Sequence, residues 1–423
     1  MDDQINYRVK QWTPPARPEW VRCINEEGSY LDLKSVVPLD EDSLIAHAKA
    51  NTGLSDFGSD DWYEPFKVYI KALEQESELT LMGRLMTRSD VLIHLEGRLH
   101  VEDTYKRHPE IDAEKIKSPI MIVGSGRCGS SAMQNLLSHD PDNGTPRQWE
   151  AMFPCPPPEK KNYLIDPRIH KAEMLATQWN RVTPEIMSMH EFGGSMPTEL
   201  IHIETMSFQS ASFLDLYGLV PSYDAYMSTR SQVPALNYAK RVLKLLQWKN
   251  PHLRWSLKSP DTMRYLPDLF TVFPDVQVVW MHRDPIKAVA SFVGFIGTLF
   301  WIRSDQPLSE EAIGHLTNPV GLALFFDKVI DEIEQGKVPA AQFHHVHYQD
   351  LMKDQLGTIE KLYGKMGIPF TGHGRQAIAA YIRDNPREVR PAYQYRAGDR
   401  DRIDAERKMF ERYQNFFGVT SEV

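Results

Sequence analysis

The sequence predicts a three-layer α/β fold: a parallel sheet flanked by helices, preceded by an N-terminal helical extension. Three stretches carry that prediction. "PIMIVGSGRCGSSAMQNLL" (119–137) runs from apolar residues through three glycines into a helical pattern. "VQVVWMHRDPIKAVASF" passes from a buried strand, Val276 to Met281, into a helix, and "FHHVHYQDL" followed by "GTIEKLYGKMGIP" repeats the alternation. Strands separated by helices must cross over, so they pair in parallel with helices on both faces.

Taken in order, residues 1–60 read as an irregular, Pro-, Asp- and Trp-rich arm with one helix near "EDSLIAHAKA". From Asp60 to about Pro109 apolar residues recur at three and four, a helical layer ahead of the core. The division expected is 1–115 for arm and helical layer and 116–423 for the α/β domain. That domain opens with the strand Pro119–Val123. "FPCPPPEKKNY" is a loop, and about 165–250 is a mostly helical insertion in which "S-M-P-T-E-L" reads as a helix start at Pro197. "RWSLKSP" is a strand ending at Lys258, and the tail from about Asn385 is arginine-rich and poorly periodic.

A chain of 423 residues can bury a large core, and 42% apolar with 25% charged residues places it among ordinary globular proteins. Net charge is −9, which argues against a general nucleic-acid binder. The three cysteines are too scattered for a disulfide framework or a zinc site and fit a reducing compartment. The start "MDDQINYRVK" is polar, unlike a signal peptide. "AVASFVGFIGTLFWI", Ala288 to Ile302, falls short of the roughly 20 residues a bilayer span needs and reads as a buried helix. The expectation is a cytoplasmic protein with no transmembrane segment, and a homo-oligomer is compatible with it.

The loop at 124–131 is an anion cradle: a tight turn and a helix N-terminus present backbone N–H groups. Gly124 and Gly129 have the spacing of G-x-x-x-x-G-K-[ST], but Ser130 stands where an ATP-binding loop has lysine. "GSGRCG" is also G-x-G-x-x-G, yet Glu150 does not close a second strand, as a dinucleotide site requires. Cys128 lacks the arginine of a cysteine phosphatase, because six residues on is Gln134; it reads as a small residue suited to a tight loop. The loop therefore offers N–H groups, the Ser130 and Ser131 hydroxyls and the Arg127 guanidinium. That set suits a terminal phosphate or sulfate group with no obligatory metal.

Two more strand ends carry cations. In "HRDP" Asp284 caps a helix that begins at Pro285, so Arg283 lies at the sheet's carboxyl edge, with Ser291 two turns along the helix. Lys258 ends another strand. Three cations at three strand tips point to one shared anionic ligand.

Together "PIMIVGSGRCGSS", "WEAMFPCPPPE", "WSLKSP", "VVWMHRDPIKAVASF" and "VHYQDL" resemble the bacterial sulfotransferases that use 3′-phosphoadenosine-5′-phosphosulfate (PAPS), over roughly residues 60 to 400. The resemblance implies a P-loop-like fold and sulfuryl transfer to a small-molecule alcohol, phenol or amine, without a metal. It implies that Gly126, Arg127, Cys128, Gly129, Ser130 and Ser131 hold the 5′-phosphosulfate. Arg283 and Ser291 would hold the 3′-phosphate, Tyr348 would lie near the adenine, and Lys258 beside the transferring group. The animal cytosolic branch has a histidine base two positions after that lysine; here Pro260 stands there.

The base must then come from elsewhere. Glu199 and His202 are three apart and read as one face of a helix; Glu150, His190 and Glu191 are alternatives. His345 and His347 share a strand face but lack a visible third metal ligand. In the tail, Arg387, Arg390 or Arg396 could cover the 3′-phosphate. The aromatic and Met-rich helices between 174 and 250, with the helix after Ser291, would wall a pocket for an apolar or aromatic acceptor. A P-loop-type kinase or nucleotide hydrolase, and a non-catalytic nucleotide-binding module, are the alternative readings.

Overall fold

A computed structural model describes residues 8–9, 12–215, 218–306, 318–386 and 397–423. Arg387, Arg390 and Arg396 lie outside these residues. Among the described residues five strands form one parallel sheet: β1 (Ile120–Val123), β2 (Asn143–Gly144), β3 (Arg254–Lys258), β4 (Gln277–His282) and β5 (Phe343–His347), in the order β2-β3-β1-β4-β5. β1 is central, with Ile122 level with Lys258 on one side and Val279 on the other. The tips of β1, β3 and β4 therefore end on one edge.

β1 is buried along its whole length, and its side chains alternate between two cores. Met121 and Val123 join Leu257, Val278 and Trp280 beneath the helices Val233–Trp248 and Pro319–Glu334. Ile120 and Ile122 join Val279 and Met281 against the helices Ser130–Leu137 and Gln355–Met366. These are the three layers. A third core joins the N-terminal helices Tyr63–Glu76 and Leu81–Arg107 to Val293, Ile296, Leu299 and Ile302 of the helix Pro285–Arg303. That last helix is long and apolar enough to cross a membrane by length and composition, but 78% of its most apolar window is buried inside the protein.

Several sequence expectations shift. The arm is more helical than its composition implies, with Glu19–Gly28 and Leu33–Val36 preceding Glu41–Thr52. The tail carries the helices Arg400–Met409 and Glu411–Phe417; Ile403, Phe410 and Tyr413 bury against the core and stabilise a pattern too polar to read by eye. β2 is a two-residue edge strand inside a turn-rich stretch, too short to leave a periodic signal. No helix starts at Pro197. The Thr198 N–H donates to the Pro146 carbonyl (2.8 Å), and its own carbonyl accepts from Gln134 Nε2 (2.7 Å). Those groups are taken, so the helix begins later, at Ile201–Glu204.

Candidate active site

The turn after β1 is built on backbone that favours glycine. Gly124 has φ +148°, Arg127 φ +68° and Gly129 φ +96°. At Gly129, which caps the helix Ser130–Leu137, a Cβ would also lie 2.6 Å from the Tyr348 ring. At Gly126 a Cβ would lie 2.6 Å from the Phe292 ring. The chain can follow this path only without those side chains, and the first helical residues, Ser130 to Ala132, whose N–H groups have no partner within the helix, line the cavity.

That cavity has a volume of about 1790 Å³. It brings together Gly126, Arg127, Gly129, Ser130, Ser131, Glu199, His202, Lys258, Arg283, Ser291 and Tyr348. Cys128 is the exception in the loop. Its thiol is fully buried in the core with Ile122 and Met281, and burial pushes its pKa up. Its side chain packs the core instead of lining the cavity, which leaves only the backbone of Cys128 as a contact for a ligand in the loop.

Lys258 is the hub of the β3 tip. Its Nζ lies 2.9 Å from Ser131 Oγ and 2.5 Å from Glu199 Oε1, and its side chain is only 4% exposed. Burial alone would raise the Glu199 carboxyl, but Lys258 outweighs it and holds Glu199 below the usual carboxylate range. Glu199 is therefore ionised at pH 7. It sits in the turn before the helix, not on it, so the helical-face argument for Glu199 and His202 fails locally. The two still meet at the cavity, because the His202 N–H donates to the Glu199 carbonyl (3.1 Å). Burial keeps the His202 imidazole below its ordinary pKa despite Glu199. His190 lines the same wall, and burial, then Lys258, press it down to about 3. Both histidines are neutral at pH 7.

The alternative bases separate. Glu150 is buried away from the cavity, where it closes a helix start by accepting from the Arg147 N–H (2.8 Å). Glu191 is exposed on the surface. His345 hydrogen-bonds His282 (2.9 Å), whose other ring nitrogen meets Tyr413 Oη (2.9 Å). Among the described residues no three His, Cys, Asp or Glu side chains are grouped to hold a metal ion.

Arg127 and Arg283 meet across the loop. Arg127 Nε donates to Ser291 Oγ (3.1 Å), and its Nη1 donates to the Met189 carbonyl (2.8 Å). Arg283 stacks 4.1 Å over the Tyr348 ring and donates from Nη1 to the Arg127 carbonyl (3.0 Å). Its Nε and Nη2 donate to Glu422. Asp284 caps the next helix through the Ile286 N–H (3.0 Å), as the sequence predicts. Two lining residues escaped the sequence reading. Lys287 was legible, one helical turn beyond Arg283. Glu422 was not, since nothing local signals its contact 139 residues away.

The model of the sulfotransferase family matches residues 119–372, which span β1 through β5 and every strand tip just described. The chain belongs to the sulfotransferase family. The omega-hydroxy-beta-dihydromenaquinone-9 sulfotransferases Stf3 of Mycobacterium bovis and Mycobacterium tuberculosis are each 22% identical over 301 residues, 68% of this chain and 72% of theirs. The crystal structure of sulfotransferase STF1 from M. tuberculosis superposes with a TM-score of 0.72 at 26% identity, covering 88% of this chain and 98% of that one. STF9 from Mycobacterium avium shares the fold, with a TM-score of 0.78 at 23% identity, covering 90% and 97%. This sulfotransferase thus transfers sulfuryl groups on a parallel α/β scaffold, and its loop, β3 tip and β4 tip face one cavity.

Proposed function

We propose that this sulfotransferase moves a sulfuryl group from PAPS to a hydroxyl of a small apolar acceptor. One observation carries the reading: Arg127, Lys258 and Arg283, from three separate strand ends, line the same cavity as the glycine-rich loop. The residues present fit such a donor. The loop N–H groups, Ser130, Ser131, Arg127 and Lys258 would hold the 5′-phosphosulfate, and Arg283, with Ser291, the 3′-phosphate. Tyr348, stacked beneath Arg283, would lie near the adenine.

Sulfuryl transfer resembles phosphoryl transfer in having a loose transition state, so positioning and charge stabilisation dominate. The acceptor oxygen forms a bond to sulfur while the bond from sulfur to the 5′-phosphate oxygen breaks. The acceptor proton goes to Glu199, which is ionised and buried beside the transfer point. Protonation cancels the charge that holds Lys258, whose ammonium then serves the negative charge growing on the leaving phosphate. Phe192, Phe292, Phe295 and Leu299 line the acceptor side, which suits an apolar molecule. The omega-hydroxy-beta-dihydromenaquinone-9 named for the Stf3 relatives is an acceptor of that class.

The test is thermal stabilisation by adenosine 3′,5′-bisphosphate against ADP–Mg²⁺. At 100 times its dissociation constant a ligand adds about 2.7 kcal/mol. The bisphosphate is expected to stabilise more, and Arg283→Ala to remove its shift. A larger shift with ADP–Mg²⁺ would favour a kinase or hydrolase. Incubation with labelled donor and a lipid extract then identifies the acceptor.

A further inference from the structure

The cation assigned to the 3′-phosphate already holds an anion from this chain. Glu422 accepts from Arg283 Nε (3.0 Å) and Nη2 (3.2 Å), the two-pronged geometry a phosphate would use. Lys287 Nζ lies 3.8 Å from the same carboxylate. The pair is shielded, with the Arg283 and Glu422 side chains 15% and 14% exposed. Both residues line the cavity.

This contact is anchored from both sides. The Glu422 N–H donates to Asp284 Oδ2 (2.6 Å), and the Val423 carbonyl accepts from Arg407 Nη2 (2.9 Å). Arg407 itself grips both Asp284 oxygens, at 2.7 and 3.0 Å. Upstream, Thr420 Oγ1 donates to Gln349 Oε1 (2.9 Å) and Val419 is buried. The segment 419–423 is thus laid along the strand tip and directs one carboxylate at Arg283.

A carboxylate and a phosphate cannot share one guanidinium without strong like-charge repulsion in so shielded a place. We propose that Glu422 is an internal competitor that occupies the 3′-phosphate position and must be displaced before a 3′-phosphorylated nucleotide seats. This inference rests on the PAPS reading above. Glu422 lowers the affinity for donor and bisphosphate product alike, and by returning to Arg283 it speeds product departure. A nucleotide with a bare 3′-hydroxyl leaves Glu422 in place and gains nothing from its removal.

The experiment is calorimetric titration of wild type and Glu422→Gln with adenosine 3′,5′-bisphosphate and with AMP. Glutamine keeps the shape and removes the charge. The variant is expected to bind the bisphosphate at least tenfold tighter and AMP within threefold of wild type. The KM for donor should fall while the KM for acceptor stays within twofold. Equal or weaker bisphosphate binding in the variant overturns the proposal and leaves the donor assignment standing. Equal tightening for AMP also overturns it, since the effect would then be general electrostatics. If neither protein binds the bisphosphate at millimolar concentration, the PAPS reading falls and this inference with it.

Discussion

At the scale of single residues, charge and burial set each group's task. Glu199 is held ionised by Lys258, 2.5 Å away. Its folded pKa lies below its unfolded value near 4.5. The stability it contributes is present above that value and is lost as pH falls through the lower, folded one. The acid limb of kcat/KM should therefore lie below 4.5, and Glu199→Gln should cost about 10² to 10⁴ in kcat with a small change in donor affinity. A pH–rate profile of both proteins checks this. Glu204 behaves oppositely. It is 1% exposed, and neither carboxyl oxygen has a hydrogen-bond partner among the described residues. Burial, then Asp261, pushes it up to about 8. The folded state holds that proton more tightly than the unfolded state, so stability drains away as pH rises from 4.5 toward 8. Glu204→Gln mimics the protonated form and should flatten that slope, raising the Tm at pH 8 and leaving it little changed at pH 4.5.

At the scale of elements, the strand–loop–helix unit works because its glycines admit close approach. Gly129 combines φ +96° with a ring against its missing Cβ. Gly129→Ala should add about 1–3 kcal/mol of backbone strain and push Tyr348 away. The expected result is at least tenfold weaker bisphosphate binding, measured by titration, in a protein that still folds. The unit was legible in sequence because strand, turn glycines and helix adjoin along the chain, and "HRDP" was legible for the same reason. The helix near Glu199 was misjudged because its start depends on Pro146 and Gln134, which are distant in sequence. The tail helices were missed because a few buried contacts, and not local propensity, decide them.

At the scale of the whole molecule, the N-terminal helices are tied to the α/β core at one end of the helix Pro285–Arg303. Arg303 is fully buried and meets Asp90 (2.5 Å), Thr87 Oγ1 (2.9 Å) and, through its carbonyl, the Thr80 N–H (2.9 Å). Gly83 presses so close that a Cβ would lie 1.9 Å from that carbonyl oxygen. Arg303→Ala leaves Asp90 without its partner and should cost about 3–5 kcal/mol in urea unfolding, whereas an apolar pair at both positions should recover much of it. The same helix carries Ser291 and Phe295 of the cavity, so loosening this joint should also weaken acceptor binding. The sequence by itself determined the alternation of strands and helices, the glycine-bearing turn between β1 and its helix, and the cations beyond three strand tips, because each is encoded in residues adjacent along the chain. Only the tertiary structure decided which carboxylate faces Lys258, that Cys128 turns into the core, and that Glu422 reaches Arg283. Those outcomes depend on segments far apart in sequence meeting at distances of a few ångströms, and no local pattern records such a meeting.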